Sequence, residues 1–472
     1  MSIYGHRVLG RLPIWITHGT DPLNVTIGTF PDNVLLEIFH FYVDDAGFFA
    51  IDTSAWQTLI HVCQKWRHTV FASPRRLKLR LDCTERQPAR EMLDIWPAFL
   101  PIVVSESPWV SLEHADNIVA ALEHNDRVRE ISLWRFPTPE SERFVAAMQK
   151  PFPALEYLDI RLFDDPILVL PDSFLGGSAP RLRTLHLVDI LFPALTKLLL
   201  STSHLVELDM LGILGPSTPH AGYVSPEAMV ACLSMLTRLE TLRFGFISPR
   251  SRPGQPSQLL TPFKRVIILS LSKLEFRGVC EYLEDLVARI DAPVLCQLRI
   301  RFFNQLIFGV TQLHQFIGRT EKLTAPNHAD IFFSENNVEA ILFTQAGSIL
   351  LGVSCHGTDW QLSFLSQVCG WSLPAISIER LDIREDEMPY SPLRDDVENA
   401  QWLELLLPFI AVTELYLSEE LALRCVPALQ QLVGEVGIGA LPTLQNLFLE
   451  TPAIRQCPGS DWTVCRYPRA LR

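Results

Sequence analysis

A short motif, Leu-x-x-Leu-x-Leu with other aliphatics admitted, starts at Val128, Leu155, Leu182, Leu205, Leu239, Leu271, Leu295, Val338, Ile378, Val412 and Leu444. From 128 to 444 is 316 residues in ten steps, a mean near 32. Within each copy the aliphatics alternate as they do on a half-buried strand. Between copies lie helical patterns. In "SPEAMVACLSML", Ser225 is an N-cap, Pro226 takes the first helical position and Glu227 sits in the first turn. "VCEYLEDLVARI" and "TQLHQFIGRT" behave similarly. Strand and helix at one period predict an α/β array in which each unit buries its strand leucines only against its neighbours. The sheet then lies along one side and the helices along the other. Such an array also answers the length, since 472 residues exceed what one compact core supports.

The period and strand motif resemble leucine-rich repeats. Those repeats carry Asn or Cys three residues past the strand's last aliphatic; here that place holds Phe136, Phe163, Ile190, Ile213, Ile247, Val279 and Phe303. An irregular horseshoe is expected, its turns held by packing rather than by an Asn ladder, with the motif fraying after residue 303. Three stretches rich in Pro, Ser, Gly or acid, "LGPSTPHAGYVSP", "SPRSRPGQPSQLLTP" and "REDEMPYSPLRDDVENAQ", are expected to be loops.

Ahead of the array, "FPDNVLLEIFHFYVDD" predicts a helix with Pro31 and Asp32 at its start. Val34, Leu35, Ile38, Phe39 and Tyr42 then share one face. A second helix is expected from a capping box of Ser54 and Gln57, with an apolar stripe of Trp56, Leu59, Ile60, Cys63, Trp66 and Val70, ending before Pro74. Two such helices cannot cover each other's apolar faces, so a third element or a partner must. The plainer reading is a cap on the following domain. These residues, however, resemble an F-box: Pro31, Leu35, Leu36, Ile38, Phe39, Val62, Cys63, Trp66 and Arg67 fall at its motif positions. Phe30 departs from the family's usual Leu, and the loop before Trp56 is long. The tail "SPRRLKLRL" resembles that of an expanded fungal F-box set. The resemblance implies docking of Pro31, Leu35, Leu36, Ile38, Phe39, Val62, Cys63 and Trp66 on a Skp-type adaptor, and through it on a cullin–RING ubiquitin ligase.

In an array of this kind, residues alternating with the strand aliphatics face out of the concave sheet. Early copies present Ser132, Asp159, His186 and Asp209, with Arg161 beside them. Later copies present Arg243, Lys273, Arg277, Arg299, Arg301, Arg380 and Arg384, relieved by Glu275 and Asp382. On a chain of net charge −13, this basic run is uneven, and its guanidinium groups could take an acidic or phosphorylated target by bidentate pairing. A solvated face without a ligand is the simpler alternative.

The same net charge argues against a nucleic-acid binder, and no apolar run approaches a membrane span. The ten cysteines include no CxxC pair; those in apolar stretches (Cys63, Cys232, Cys280, Cys296) read as small hydrophobes, and a reducing cytoplasmic or nuclear location is expected. No HExxH, P-loop, GxGxxG or GxSxG occurs, and Gly437-x-Gly439 lacks the third glycine. His124, His186 and His204 have no partners at metal spacing. No catalysis, cofactor or metal is expected. The partition is an extension at 1–27, an F-box at 28–75, a linker and cap at 76–119, a leucine-rich-repeat-like solenoid at 120–455 and a tail at 456–472. The functional expectation is a substrate-recognition adaptor of an SCF-type ligase binding an unidentified target protein. The alternative is a repeat scaffold with no ligase role.

Overall fold

The computed structural model describes residues 27, 30–46, 55–84, 88–105, 115–134, 138–162, 168–212, 223–246, 265–303, 309–355, 357–371, 377–385, 398–434 and 441–450. The chain divides into two units, Met1–Leu81 and Asp82–Arg472. Ser54, Phe136, Phe163, Ile213, Ile247, Gly437, Gly439 and the tail at 456–472 lie outside the described residues, as do most of the expected loops.

The first unit holds helices α1 (Asp32–Ala46), α2 (Ala55–Ile60) and α3 (Gln64–Ala72). The Pro31 carbonyl accepts the first helical bonds of α1, from the N–H groups of Val34 and Leu35 at 3.0 and 3.1 Å. The single second helix expected from the sequence is two. The N–H groups of His61 and Val62 turn back to Thr58 and Leu59 at 3.3 Å, and Cys63 is extended at φ −161°. His, Val and Cys in succession are all modest helix formers, so a break there costs little, although His68-Thr69-Val70, of equal propensity, stays helical in α3. Arg67 Nε donates to the Ile60 carbonyl at 3.1 Å and so meets one of the acceptors that α2 leaves open at its end. The break also redirects the second segment: Trp56, Leu59, Ile60 and Val70 are buried, whereas Cys63 is exposed and is not the packed thiol expected of it. The Trp56 indole N–H donates to the Arg80 carbonyl at 3.2 Å.

The second unit is an alternation of strands and helices. It runs β1 (Leu81–Cys83), α4 (Ala89–Ile95), β2 (Ile102–Ser105), α5 (Ala115–Leu122), β3 (Val128–Trp134), α6 (Thr138–Ala147) and β4 (Tyr157–Arg161). Next come β5 (Leu168–Val169), β6 (Thr184–Val188), β7 (Ile190–Leu191), α7 (Leu195–Leu200), β8 (Glu207–Leu211), α8 (Pro226–Met235), β9 (Thr241–Gly245), β10 (Val266–Ile267) and β11 (Lys273–Gly278). Then follow α9 (Cys280–Ala288), β12 (Ile290–Asp291), β13 (Gln297–Phe303), α10 (Thr311–Arg319), β14 (His328–Phe333), β15 (Asn337–Phe343), β16 (Ser348–Ser354) and α11 (Thr358–Trp371). The unit closes with β17 (Arg380–Glu385), α12 (Asn399–Leu406), β18 (Glu414–Ser418), α13 (Glu419–Gly434) and β19 (Asn446–Glu450). Ser225 caps α8 as expected, its hydroxyl accepting from the Ala228 N–H at 3.2 Å.

Fifteen of these strands form one sheet, in the order β1-β2-β3-β4-β6-β8-β9-β11-β13-β16-β15-β14-β17-β18-β19. Its core is a set of ladders. Leu158, Leu185, Leu208, Leu242, Leu274 and Leu298 stand in register across six adjacent strands, each at most 1% exposed. Every such side chain contributes roughly 1.5–3 kcal/mol on burial, and only with its neighbours in place. Ile190, Val279 and Phe303, at the position where an Asn ladder would stand, are buried as packing residues. Burial pushes the thiols of Cys280 and Cys425 up to about 12, so both sit in the core as inert apolar groups. Among the described residues, no helix is long and apolar enough to cross a membrane.

The structure departs from the expected array in two places. The sheet already begins with β1 and β2, inside the stretch read as linker and cap. After β13, the chain makes an antiparallel meander of β14, β15 and β16 before parallel pairing resumes between β14 and β17. The motif copy at Val338 is therefore β15, which runs against the others, and the lengthened period is this insertion. Gly347 holds the seam where the meander rejoins the array. A Cβ there would meet the backbone carbonyl of Cys296, which accepts the Ser348 N–H at 2.8 Å. Gly347→Ala is expected to destabilise by about 1–3 kcal/mol. Gly318→Ala, in open space on α10, is expected to stabilise by about 0.5–1 kcal/mol. Denaturant midpoints of the two variants against the parent check both signs.

Candidate functional site

The face of the sheet opposite the leucine ladders is lined by three parallel rows of side chains. Register makes the central row continuous: Ser132, Asp159, His186 and Asp209, then Arg243, Glu275 and Arg299 on β9, β11 and β13. It continues over the meander as Leu350 and Ile341, and ends with Asp330, Asp382, Tyr416 and Phe448. All seven basic residues expected on this face are there, but not as an unopposed run. The sequence shows which residues alternate along one strand; it does not show which acid stands opposite on the next.

Asp159 is 1% exposed and takes Arg161 Nε at 2.7 Å, Arg161 Nη2 at 3.0 Å and the Tyr157 hydroxyl at 3.2 Å. Burial alone would raise its pKa, but the hydrogen bonds from His186 and Arg161 outweigh it and hold the carboxyl below its usual value. His186 lies with Nδ1 3.5 Å from Asp159 and Nε2 3.3 Å from Glu207. Burial pushes its pKa down, yet the bond to Asp159 and the charges of Asp159, Glu207 and Asp209 lift it above the ordinary value. Asp209 is raised by burial, only partly offset by Arg243, 3.3 Å away.

Arg243 is thus shared between Asp209 and Glu275, the latter at 3.6 Å. Arg301 meets Glu339 at 3.0 Å, although β16 lies between their strands. The intervening residue in register is Gly352, whose missing side chain lets the pair close over it. Arg380 and Arg384 both bond Asp382, at 3.0 and 2.8 Å, and the Arg380 guanidinium lies 4.2 Å over the Tyr416 ring. His328, Asp330 and Asp382 come within 4.8 Å of one another, a grouping the sequence reading missed because it needs the β14–β17 register. The two guanidiniums already compensate Asp382, so this cluster is a charge network rather than a cation site. Beside it, a depression of about 400 Å³ is lined by His328, Phe343, Arg380 and Glu414, among others.

What remains is a compact exposed group. Among the described residues, Lys273 and Arg299 have no ion-pair partner, and Arg277 lies 5.9 Å over the Phe303 ring. Arg277 stands directly opposite Arg301, and Arg299 opposite Glu275.

In the first unit, the residues expected to dock on an adaptor divide in two. Leu35, Leu36 and Phe39 are buried, and Trp66 is half-buried with its ring 4.7 Å from that of Phe39. They pack inside the protein and are not a free surface. Pro31, Ile38, Val62 and Cys63 are exposed, and on α1 they are joined by Val34, Phe41 and Tyr42. The single five-residue face read from the sequence is therefore two faces. Leu35 and Phe39 form one; Val34, Ile38 and Phe41, at i, i+4 and i+7, form the other.

The strand–helix repeat, the parallel register and the buried aliphatic ladders define the second unit as a leucine-rich-repeat-like solenoid. No family model matches the chain, and no curated protein matches it. Among solved structures it is similar to the leucine-rich repeat-containing protein LegL7 from Legionella pneumophila, at 11% identity over 79% of this chain and 91% of that one, with a TM-score of 0.27. The assignment of the fold stands on strand order and register, not on that likeness.

The histidine gives the open face a pH signature. A histidine whose folded pKa is raised stabilises the fold while pH is below its unfolded value of about 6.5, and loses that contribution as pH rises through the folded value. The stability difference between the parent and His186→Gln is expected to be largest near about pH 5.5 and to shrink toward about pH 8.5. Denaturant titrations of the two proteins across that range test this.

Proposed function

We propose that the protein is a non-catalytic protein-interaction scaffold whose solenoid holds an acidic partner segment on its open face. The observation that carries this reading is the exposed group of Lys273, Arg277 and Arg299, left over after the neighbouring charges have paired, on a chain of net charge −13. Exposed guanidiniums on a rigid sheet suit bidentate carboxylate pairing, and rim charges of this kind set encounter rate and selectivity. Arg243, Arg380 and Arg384 are engaged by acids of their own chain, and Arg301 is half-engaged, so these four support the surface more than they contact a partner. The double variant Lys273→Glu/Arg299→Glu is expected to lose co-purifying partners at unchanged denaturant midpoint. Reversal of Lys150 and Arg238, exposed elsewhere in the second unit, is expected to leave capture intact. Equal capture by both double variants would remove the basic group from the account.

A finer reading, that the protein recruits substrates to an SCF-type ligase, is favoured by one observation. α1 keeps an exposed apolar side, with Ile38 40% and Phe41 74% exposed, while its other apolar side is spent on burial. The F-box-like motif residues Pro31, Val62 and Cys63 are also exposed. In this reading the first unit docks on a Skp-type adaptor, and the ubiquitin-transfer chemistry belongs to other subunits. Co-expression with such an adaptor is expected to yield a heterodimer that Ile38→Asp and Val62→Asp abolish without unfolding the protein. Leu35→Asp, by contrast, is expected to lose the fold itself, because it puts a charge into a buried site. If the parent forms no heterodimer, the ligase role falls and the scaffold stands.

A further inference from the structure

Resting on the scaffold reading, we infer the pattern of the partner segment: a short acidic run of two or three residues, followed about three residues on by one apolar side chain, laid across the strands from β11 toward β15. Two independent features of the open face carry this.

The first is that the basic group is an island. On the β9 side, Arg243 is already shared by Asp209 and Glu275, with Asp209 and Glu207 standing beyond it on β8; on the far side come Glu339, then Asp330 and Asp382. A long polyanion laid along the face would overrun the island and meet carboxylates at both ends. Lys273 and Arg277 stand on β11 and Arg299 on the adjacent β13, one step of about 4.8 Å away, and an extended chain advances about 3.3 Å per residue. The island therefore matches about two or three acidic residues.

The second feature is the composition of the central row. Along the whole register from Ser132 to Phe448, aliphatic side chains occupy two adjacent positions, Leu350 on β16 and Ile341 on β15. They are the two strands that follow Arg299 on β13. Leu350 is 9% exposed and forms a floor; Ile341 and Phe343 are half-buried and line it. The Arg301–Glu339 pair, 3.0 Å across Gly352, closes one side with charge. An apolar spot rimmed by polar groups is the layout of an interface anchor. From Arg299 to Ile341 is two strand steps, about 10 Å, or about three residues of extended chain.

The test uses the full chain and fluorescein-labelled peptides read by anisotropy. One peptide carries three glutamates with a leucine three residues beyond; a second replaces that leucine with serine; a third is twelve glutamates. The first is expected to bind at least tenfold more tightly than either of the others. Ile341→Thr keeps the β-branched shape and therefore the strand. It is expected to weaken the leucine peptide about tenfold and leave the serine peptide unchanged, so that peptide and protein changes are non-additive. Arg299→Glu is expected to weaken all three. Equal affinity for the leucine and serine peptides, tightest binding of the twelve-glutamate peptide, or no binding of any peptide overturns the pattern. The scaffold reading is decided separately by partner capture with Lys273→Glu/Arg299→Glu.

Discussion

Register between parallel strands is the constraint on which the second unit depends. Leu158, Leu185, Leu208, Leu242, Leu274 and Leu298 are each sealed by the copies on either side, so no strand is stable alone. Fixing those inward residues also fixes what faces outward, because side chains alternate with period two. A one-residue slip would bury Asp159, Arg243 and Arg299 against the helices and expose the leucines. The chemistry of the open face is thus a by-product of the packing of the other face, and it inherits that rigidity.

That rigidity explains why charges on the open face behave differently from mobile surface charges. Exposed ion pairs contribute little because two flexible side chains must be ordered to meet. Here the backbone positions are set in advance, and the acids at the centre of the row are nearly dry. Asp159 and Asp382 are each 1% exposed and each is met by guanidinium. Their pairing removes Arg161, Arg380 and Arg384 from the pool of cations free to act on another molecule. Counting bases on a face overstates its capacity; what matters is the remainder after the register has paired them.

The repeat, its strands and the inward leucines were legible in the sequence because each is a local pattern repeated many times. All eleven motif copies form strands of the sheet, and ten of them run in one direction. The exception, β15, looks like the rest in sequence because "VEAILF" carries the same alternation whichever way it runs; direction is set by the turns at Ser334–Asn337 and Thr344–Gly347, not by the strand. The break in the expected second helix escaped for a related reason. An apolar stripe at helical spacing continues through Cys63, but His61–Cys63 departs from the helix, and periodicity does not register a local loss of hydrogen bonds. Pairings such as Arg301–Glu339 and the His328–Asp330–Asp382 cluster were out of reach, since each requires knowing which strands are neighbours. On α1, apolar residues occupy more than half the circumference, and the sequence cannot say which arc is turned inward.

The meander is more than an irregularity. In a strictly parallel array, adjacent central-row positions lie about one repeat apart in sequence, so a two-strand feature must be encoded in two separate copies. A hairpin brings Ile341 and Leu350 together from within ten residues, with Phe343 between them in sequence. Gly352, on the same short strand, opens the way for Arg301 to reach Glu339. The insertion therefore sets an apolar spot and its charged rim in the middle of an otherwise polar face. It does so without altering the ladders on either side, because β16 pairs parallel with β13 and β14 parallel with β17. A break in the repeat that leaves the packing face continuous is how a solenoid, whose copies otherwise resemble one another, acquires a position unlike the rest.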